Sequence, residues 1–157
     1  MSLVKGVLIG AAAGAAGTTA LNAVTYLDMV ARGRPTNSTP EDAVEKLSDK
    51  AHVPVPGEGD ARQNRVAGLG PLTGLVAGVG VGAGLGVGRA AGWRPDLVVS
   101  GLLATVGALI GSNAPMTVLG VTDPRTWAAT DWVADVVPHV VYGAVTAWVL
   151  RGLDQHP

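Results

Sequence analysis

The stretch "GLVAGVGVGAGLGVGRAAG", residues 74–92, decides the fold of this chain, because it admits two incompatible readings. Gly78, Gly80 and Ala83 fit the loose spacing G-x-G-x-x-A of a phosphate-cradling dinucleotide turn. That motif works only between a strand and a helix, with an acid about 20 residues further on to hold the ribose. The preceding "RVAGLGPLT" does not read as a strand, and Asp96 sits in "GWRPDL" rather than at a strand end. A period of four fits better. Gly70, Gly74, Gly78, Gly82 and Gly86 form one i, i+4 row, and Gly80, Gly84 and Gly88 form a second beside it. On a helix these rows make a bare stripe against which another backbone packs closely, the contact on which helix association in lipid depends. In water, nine glycines between Val66 and Gly88 would cost a helix about 1 kcal/mol each relative to alanine. In hydrocarbon, unsatisfied peptide groups are costlier still, so the segment stays helical. "GVGVGAGLGVG" also alternates with a period of two, but an open strand does not stand in lipid, and no other segment alternates as a barrel requires.

Working outward, three more stretches are free of charge. Gly6 to Leu27 spans 22 residues, Leu97 to Thr122 spans 26, and Val136 to Leu150 spans 15, extended back to Trp132 at the cost of Asp135 alone. Val66 to Gly88 itself spans 23. A bilayer-crossing helix needs about 20 mainly apolar residues. The expected fold is therefore all-α: a polytopic membrane protein with four transmembrane helices, glycine-mediated packing and a short amphipathic helix in the first loop. Residues 1–157 read as one integral-membrane domain, with spans at about 4–29, 66–88, 97–119 and 130–150 and a polar loop at 31–65. Gly10 and Gly14, continuing from Gly6, repeat the packing device on the first span, and Gly107 and Gly111 on the third. Lys5 before an apolar run also suits a signal peptide, but Ala20 and Ala23 make a mediocre cleavage site, so a retained first span is expected.

Composition agrees. Only 15% of residues are charged, against about 25% in soluble domains. A net charge of −1 gives no electrostatic footprint for nucleic acid. With no cysteine, disulfides, thiolate catalysis and cysteine-ligated metals are excluded. In the first loop, Ser38 or Thr39 as cap, Pro40 in the first turn and then Glu41 and Asp42 mark a helix start, with Ala43, Val44, Leu47 and Ala51 on one face. Trp93, Trp127, Trp132 and Trp148 fall near span ends, where interfacial aromatics belong. Seven Lys and Arg flank the side of the long loop and four the side of the termini, which assigns the long loop to the cytoplasm.

Chemistry, if any, belongs to the fourth span. Asp131, Asp135 and His139 recur every four residues and stack on one helix face, which Tyr142 and Thr146 extend. His139 lies about 12 Å along the axis from Asp131, toward the bilayer interior. Pro138 should kink the helix beside it. Polar partners are offered by Thr18, Asn22 and Thr25 on the first span and by Ser112 and Asn113 on the third, just before the expected breaker Pro115. Intramembrane acids and histidines face bundle interiors and mark ion or proton paths. The competing reading is a cap at Asp131 and a hydrogen-bonded pair at Asp135 and His139 that fixes helix register. Asp-x3-Asp-x3-His supplies too few ligands for a metal, and no cofactor is expected. His52 and His156 lie in polar segments and receive no role.

"PMTVLGVTDP", then Trp132, then "DVVPHVVY" resembles the YagU-like family of small bacterial inner-membrane proteins. The shared pattern is Pro115, Leu119-Gly120-Val121-Thr122 with Pro124, a tryptophan, and an acid four residues before a histidine, here Asp135 and His139, followed by Tyr142. "RPTNSTPEDAVEKL" also looks like that family's Pro-rich loop and short helix. The resemblance implies a multi-pass protein of the bacterial inner membrane, singles out Asp135 and His139, and implies no reaction. The expected role is a non-enzymatic accessory subunit or envelope-homeostasis factor. Its partners are then the lipid bilayer and other membrane proteins or further copies of itself. The alternative is an oligomeric conductor of protons or small solutes through Asp135 and His139; a soluble nucleotide-dependent oxidoreductase is the third reading.

Overall fold

A computed structural model describes residues 1–155, and every described element is helical. The helices are α1 (Leu3–Arg32), α2 (Thr39–Ala51), α3 (Gly59–Ala90), α4 (Leu97–Val118) and α5 (Ala129–Gln155), with a 3-10 turn at Pro124–Thr126. Among them α1, α3, α4 and α5 are long and apolar enough to cross a membrane. The described chain is thus all-helical, with four candidate membrane spans and a fifth, shorter helix between the first two.

The long helices form an antiparallel ring in which α1 packs on α3 and α5, and α4 on α5 and α3. Between α1 and α3 nothing but backbone separates the axes. A Cβ on Gly6 would lie 2.6 Å from the Gly86 carbonyl oxygen, and one on Gly14 would lie 2.5 Å from that of Gly78. Gly10 meets Gly82 in the same way. Four-residue spacing on both chains brings the pairs 6/86, 10/82 and 14/78 into register. Gly74 does not take part: nothing lies within 4 Å of where its Cβ would be, and the same holds for Gly80 and Gly84. The second row points away from α1, and Gly74 lies one turn past the last close pair, where no chain covers it. Gly107 rests against the Val81 side chain, while Gly111 faces open space. Two glycines outside those rows, Gly17 and Gly143, make the equivalent contacts of α5. Gly17 gives room to Tyr142 and Thr146, and Gly143 lies against Gly101 and Thr105.

All four long helices meet at Tyr142, where Ala104 and Ala108 of α4 form the core and Leu21, Val81 and Leu85 close it. The outer surface is apolar along the spans: Val98, Leu102, Val106 and Ile110 on α4 are all more than half exposed. Water would penalise such a surface; acyl chains match it.

The helix ends follow local rules. Ser2 caps α1 and Asp96 caps α4 by accepting the Lys5 and Val99 amides. α3 ends in a Schellman turn, with Trp93 N–H donating to Gly88 O and Gly92 at a φ of 95°. Pro115, read as a breaker within the span expected at 97–119, lies inside the last turn of α4. The helix runs on to Val118 and closes where Val121 N–H donates to Met116 O around Gly120, at a φ of 72°. α3 begins at Gly59, two turns before the apolar stretch, because "DARQNR" after that glycine contains neither glycine nor proline. In α2, Ala43 and Val44 are covered, with Val44 packed on Val55 and Val66. Leu47 and Ala51, read onto the same face of the helix, are exposed. α2 meets α3 along its first half, where Glu41 lies against Gly70 and Arg62 donates to Glu45 at 2.7 Å, while its far end is tied by the Lys50 ammonium to the Val118 carbonyl.

Candidate functional site

Antiparallel packing of α4 on α5 sets Ser112 opposite His139 and Asn113 opposite Asp135. The Asn113 amide donates to Asp135 Oδ2 at 2.8 Å, while Asp135 Oδ1 lies 3.5 Å from His139 Nδ1. His139 Nδ1 is 2.7 Å from the Asp135 carbonyl oxygen, and its Nε2 is 3.2 Å from Ser112 Oγ. His139 is buried, and Asp135 is a fifth exposed at its side chain. The Nδ1 contact reaches one turn back along the same helix, to the Asp135 carbonyl; Pro138, which has no N–H, leaves the carbonyl of Ala134 without its helical donor. α5 runs through Pro138 as continuous helix.

These distances admit two charge states without moving a heavy atom. Nδ1 faces only acceptors, the Asp135 carbonyl and carboxylate, and therefore carries hydrogen. Ser112 Oγ has a second acceptor, Ala108 O, at 2.9 Å. When the hydroxyl donates to Nε2 the imidazole is neutral; when it donates to Ala108 O, Oγ accepts from Nε2–H and the ring is an imidazolium facing Asp135. Serine rotors make this exchange cheaply.

The remaining expected site residues lie elsewhere. Asp131 does not join the cluster: its Oδ2 accepts the Ala128 amide at 3.0 Å, the backward half of a capping box at the start of α5. Two turns before His139, it lies beyond the reach of Ser112 and Asn113. Tyr142 is fully buried and donates to Gly78 O at 2.6 Å, so it braces α5 on α3 rather than extending a polar path. Thr146 is buried with its hydroxyl unpaired. Asn22, expected to face the cluster, is exposed on the outside of α1. The inner side of that helix is taken by Gly10, Gly14, Gly17 and Thr18, which leaves Asn22 on the outward arc. His52 ends α2 with a φ of 54°, and His156 lies outside the described residues.

No match was found among family models, curated proteins or solved structures. The site is therefore read from its own geometry. Among the described residues no group of three histidines and acids is placed to hold a metal ion.

A second polar group escaped the sequence reading. At the opposite end of the bundle Arg89 and Asp154, both buried, pair at 3.2 Å, and half-exposed Arg94 reaches the same Asp154 Oδ2 at 3.2 Å. Arg89 also reaches Ser100 Oγ at 3.4 Å. The signal available was positional. Arg89 closes the second span and Asp154 follows the fourth, and consecutive antiparallel spans return those two ends to one side.

At the other side, Asp123 caps the 3-10 turn through the Arg125 amide and grips its guanidinium at 2.9 Å. The Arg125 side chain, and then its backbone amide, hold the Asp123 carboxyl below the usual carboxylate range. Trp127 donates to Thr122 Oγ1 and meets Trp132 edge-on at 5.0 Å.

Proposed function

We propose that this chain is a non-enzymatic accessory subunit, or envelope-homeostasis factor, of the bacterial inner membrane, joined through α1 to another membrane-embedded chain or a second copy. One observation carries the proposal. Asn22 stands on the exposed face of α1, about 9 Å along the helix from the Asp28, Arg32 and Arg34 cluster that marks its end. A carboxamide turned to hydrocarbon lacks donors and acceptors, and polar side chains on spans are satisfied across helices. Glycine packing is used internally along α1 and α3, whereas Gly80 and Gly84 leave a second smooth face open to a neighbour. Kinship with YagU-like proteins belongs to the same proposal, supported by the pattern from Pro115 to Tyr142. The excess of Lys and Arg beside the long loop supports its cytoplasmic placement. Gentle purification from native membrane tests the role: a stoichiometric membrane partner or dimer should co-elute and should be lost in Asn22→Leu. A lone monomer would refute it.

A second reading rests on the two proton arrangements of Ser112 and His139 beside Asp135, which suit a proton or small-solute conductor. Liposomes holding a pH-sensitive dye should then leak, and a leak unchanged by Asp135→Asn and His139→Ala would remove that reading.

A further inference from the structure

The two ends of the bundle differ in charge. The end bearing the first turn of α1, the α3–α4 connection and the last turn of α5 carries Lys5, Arg89, Arg94 and Arg151 against Asp96 and Asp154, an excess of two positive charges. The other ten acids and seven bases, Asp135 among them, lie toward the opposite end and leave it three negative charges in excess.

The positive end is also built. Arg89 is held below the surface by Asp154 and Ser100, and Arg94 is drawn over it by the same carboxylate oxygen. One carboxylate cannot neutralise two guanidinium groups. Asp96, the other acid here, accepts the Val99 amide, so its charge is matched to the amino-terminal dipole of α4. Lys5 and Arg151 make no ion pair among the described residues. Arg94 is half exposed, and beside it the Trp93 ring stands 54% exposed, as an interfacial tryptophan does.

We infer that this end binds anionic phospholipid, with the headgroup phosphodiester bridged by Arg94 and attracted by Lys5 and Arg151, and with Trp93 seated among the upper acyl chains. A guanidinium offers paired donors to phosphate oxygens, and basic groups at span ends attract anionic lipid. The inference rests on the chain's being membrane-embedded and not on its role as a subunit.

The test uses the full chain in a neutral detergent, titrated with phosphatidylglycerol or phosphatidylcholine of matched acyl length while thermal unfolding is followed by circular dichroism. Phosphatidylglycerol should raise Tm and phosphatidylcholine should not. Arg94→Gln should raise the half-saturating phosphatidylglycerol about tenfold, the loss of one charged hydrogen bond. Arg125→Gln, which removes the same charge from the far end, should leave it unchanged. Equal weakening by both variants would mean a diffuse field and overturn the site. So would equal stabilisation by the two lipids, or stabilisation by inorganic phosphate matching that by phosphatidylglycerol. If Arg94→Gln does not fold, native mass spectrometry of the unaltered chain decides: preferential retention of phosphatidylglycerol upholds the site, and equal retention of both lipids overturns it.

Discussion

Replacing Gly14 with alanine should separate α1 from α3. The added methyl would lie 2.5 Å from Gly78 O, 3.0 Å from Val79 Cα and 3.2 Å from Gly78 C, all backbone atoms with no rotamer to yield. Ordinary contact begins at 3.4 Å, so the helices must part by about 0.9 Å at this level. A gap of that size forfeits between a quarter and a half of each dispersion contact along the seam. Overpacking of this kind costs about 3 kcal/mol, offset by at most about 1 kcal/mol from alanine's helix propensity. The net loss is about 2 kcal/mol, roughly 30-fold in the folding equilibrium. Gly78 O also accepts the Tyr142 hydroxyl, so the displacement strains that bond as well. Gly84→Ala is the matched control, because open space surrounds the site; it should be neutral or gain up to about 1 kcal/mol. Reversible unfolding in mixed micelles, followed by circular dichroism, gives both values. Equal stability of the two variants would refute the account of the α1–α3 seam.

Three further outcomes are expected. Tyr142→Phe should cost about 1 kcal/mol in the same assay, since it deletes one buried hydrogen bond and keeps the ring; a loss above 3 kcal/mol would mean that the hydroxyl does more than brace α3. Arg89→Gln leaves the buried Asp154 carboxylate with half-exposed Arg94 as its one cationic partner and should cost about 2–3 kcal/mol, much of it recovered in the double variant with Asp154→Asn; strictly additive losses would contradict the pairing. Asp123, whose carboxyl is held low in the folded chain, stabilises its turn above the ordinary carboxylate value and loses that contribution as pH falls below about 4. Fluorescence of the adjoining Trp127 should report the change there, and a transition centred near neutral pH would assign it to another group.

The spans were legible because hydropathy is a one-dimensional property: charges absent for twenty residues predict a crossing whatever surrounds it. The glycine row was legible only in part. Four-residue spacing identifies a smooth face but not where a neighbour stops covering it, so Gly74 reads like Gly78 in sequence and stands open in the fold. The same limit misplaced Asn22, since a polar residue does not announce which side of its helix is taken. Asp131 matched the spacing of the cluster because caps and clusters both recur within a turn, and only the partner atom, the Ala128 amide, separates them. Asp135, His139 and Asn113 stood out in the sequence because few residues able to bond interrupt these spans, and the fold brings the three side chains together. Arg89 and Asp154, 65 residues apart, looked like ordinary flanking charges, and their pairing depends on antiparallel return of the helices.

The central claim is that these four helices stand in a bilayer with consecutive connections on opposite sides. The chain has no cysteine, so single replacements label cleanly. In sealed membrane vesicles of defined orientation, a membrane-impermeant maleimide should reach Ser48→Cys and Thr126→Cys from one side, Gly92→Cys from the other, and Val106→Cys from neither. Labelling of Ser48→Cys and Gly92→Cys from the same side, or rapid labelling of Val106→Cys without detergent, would contradict it.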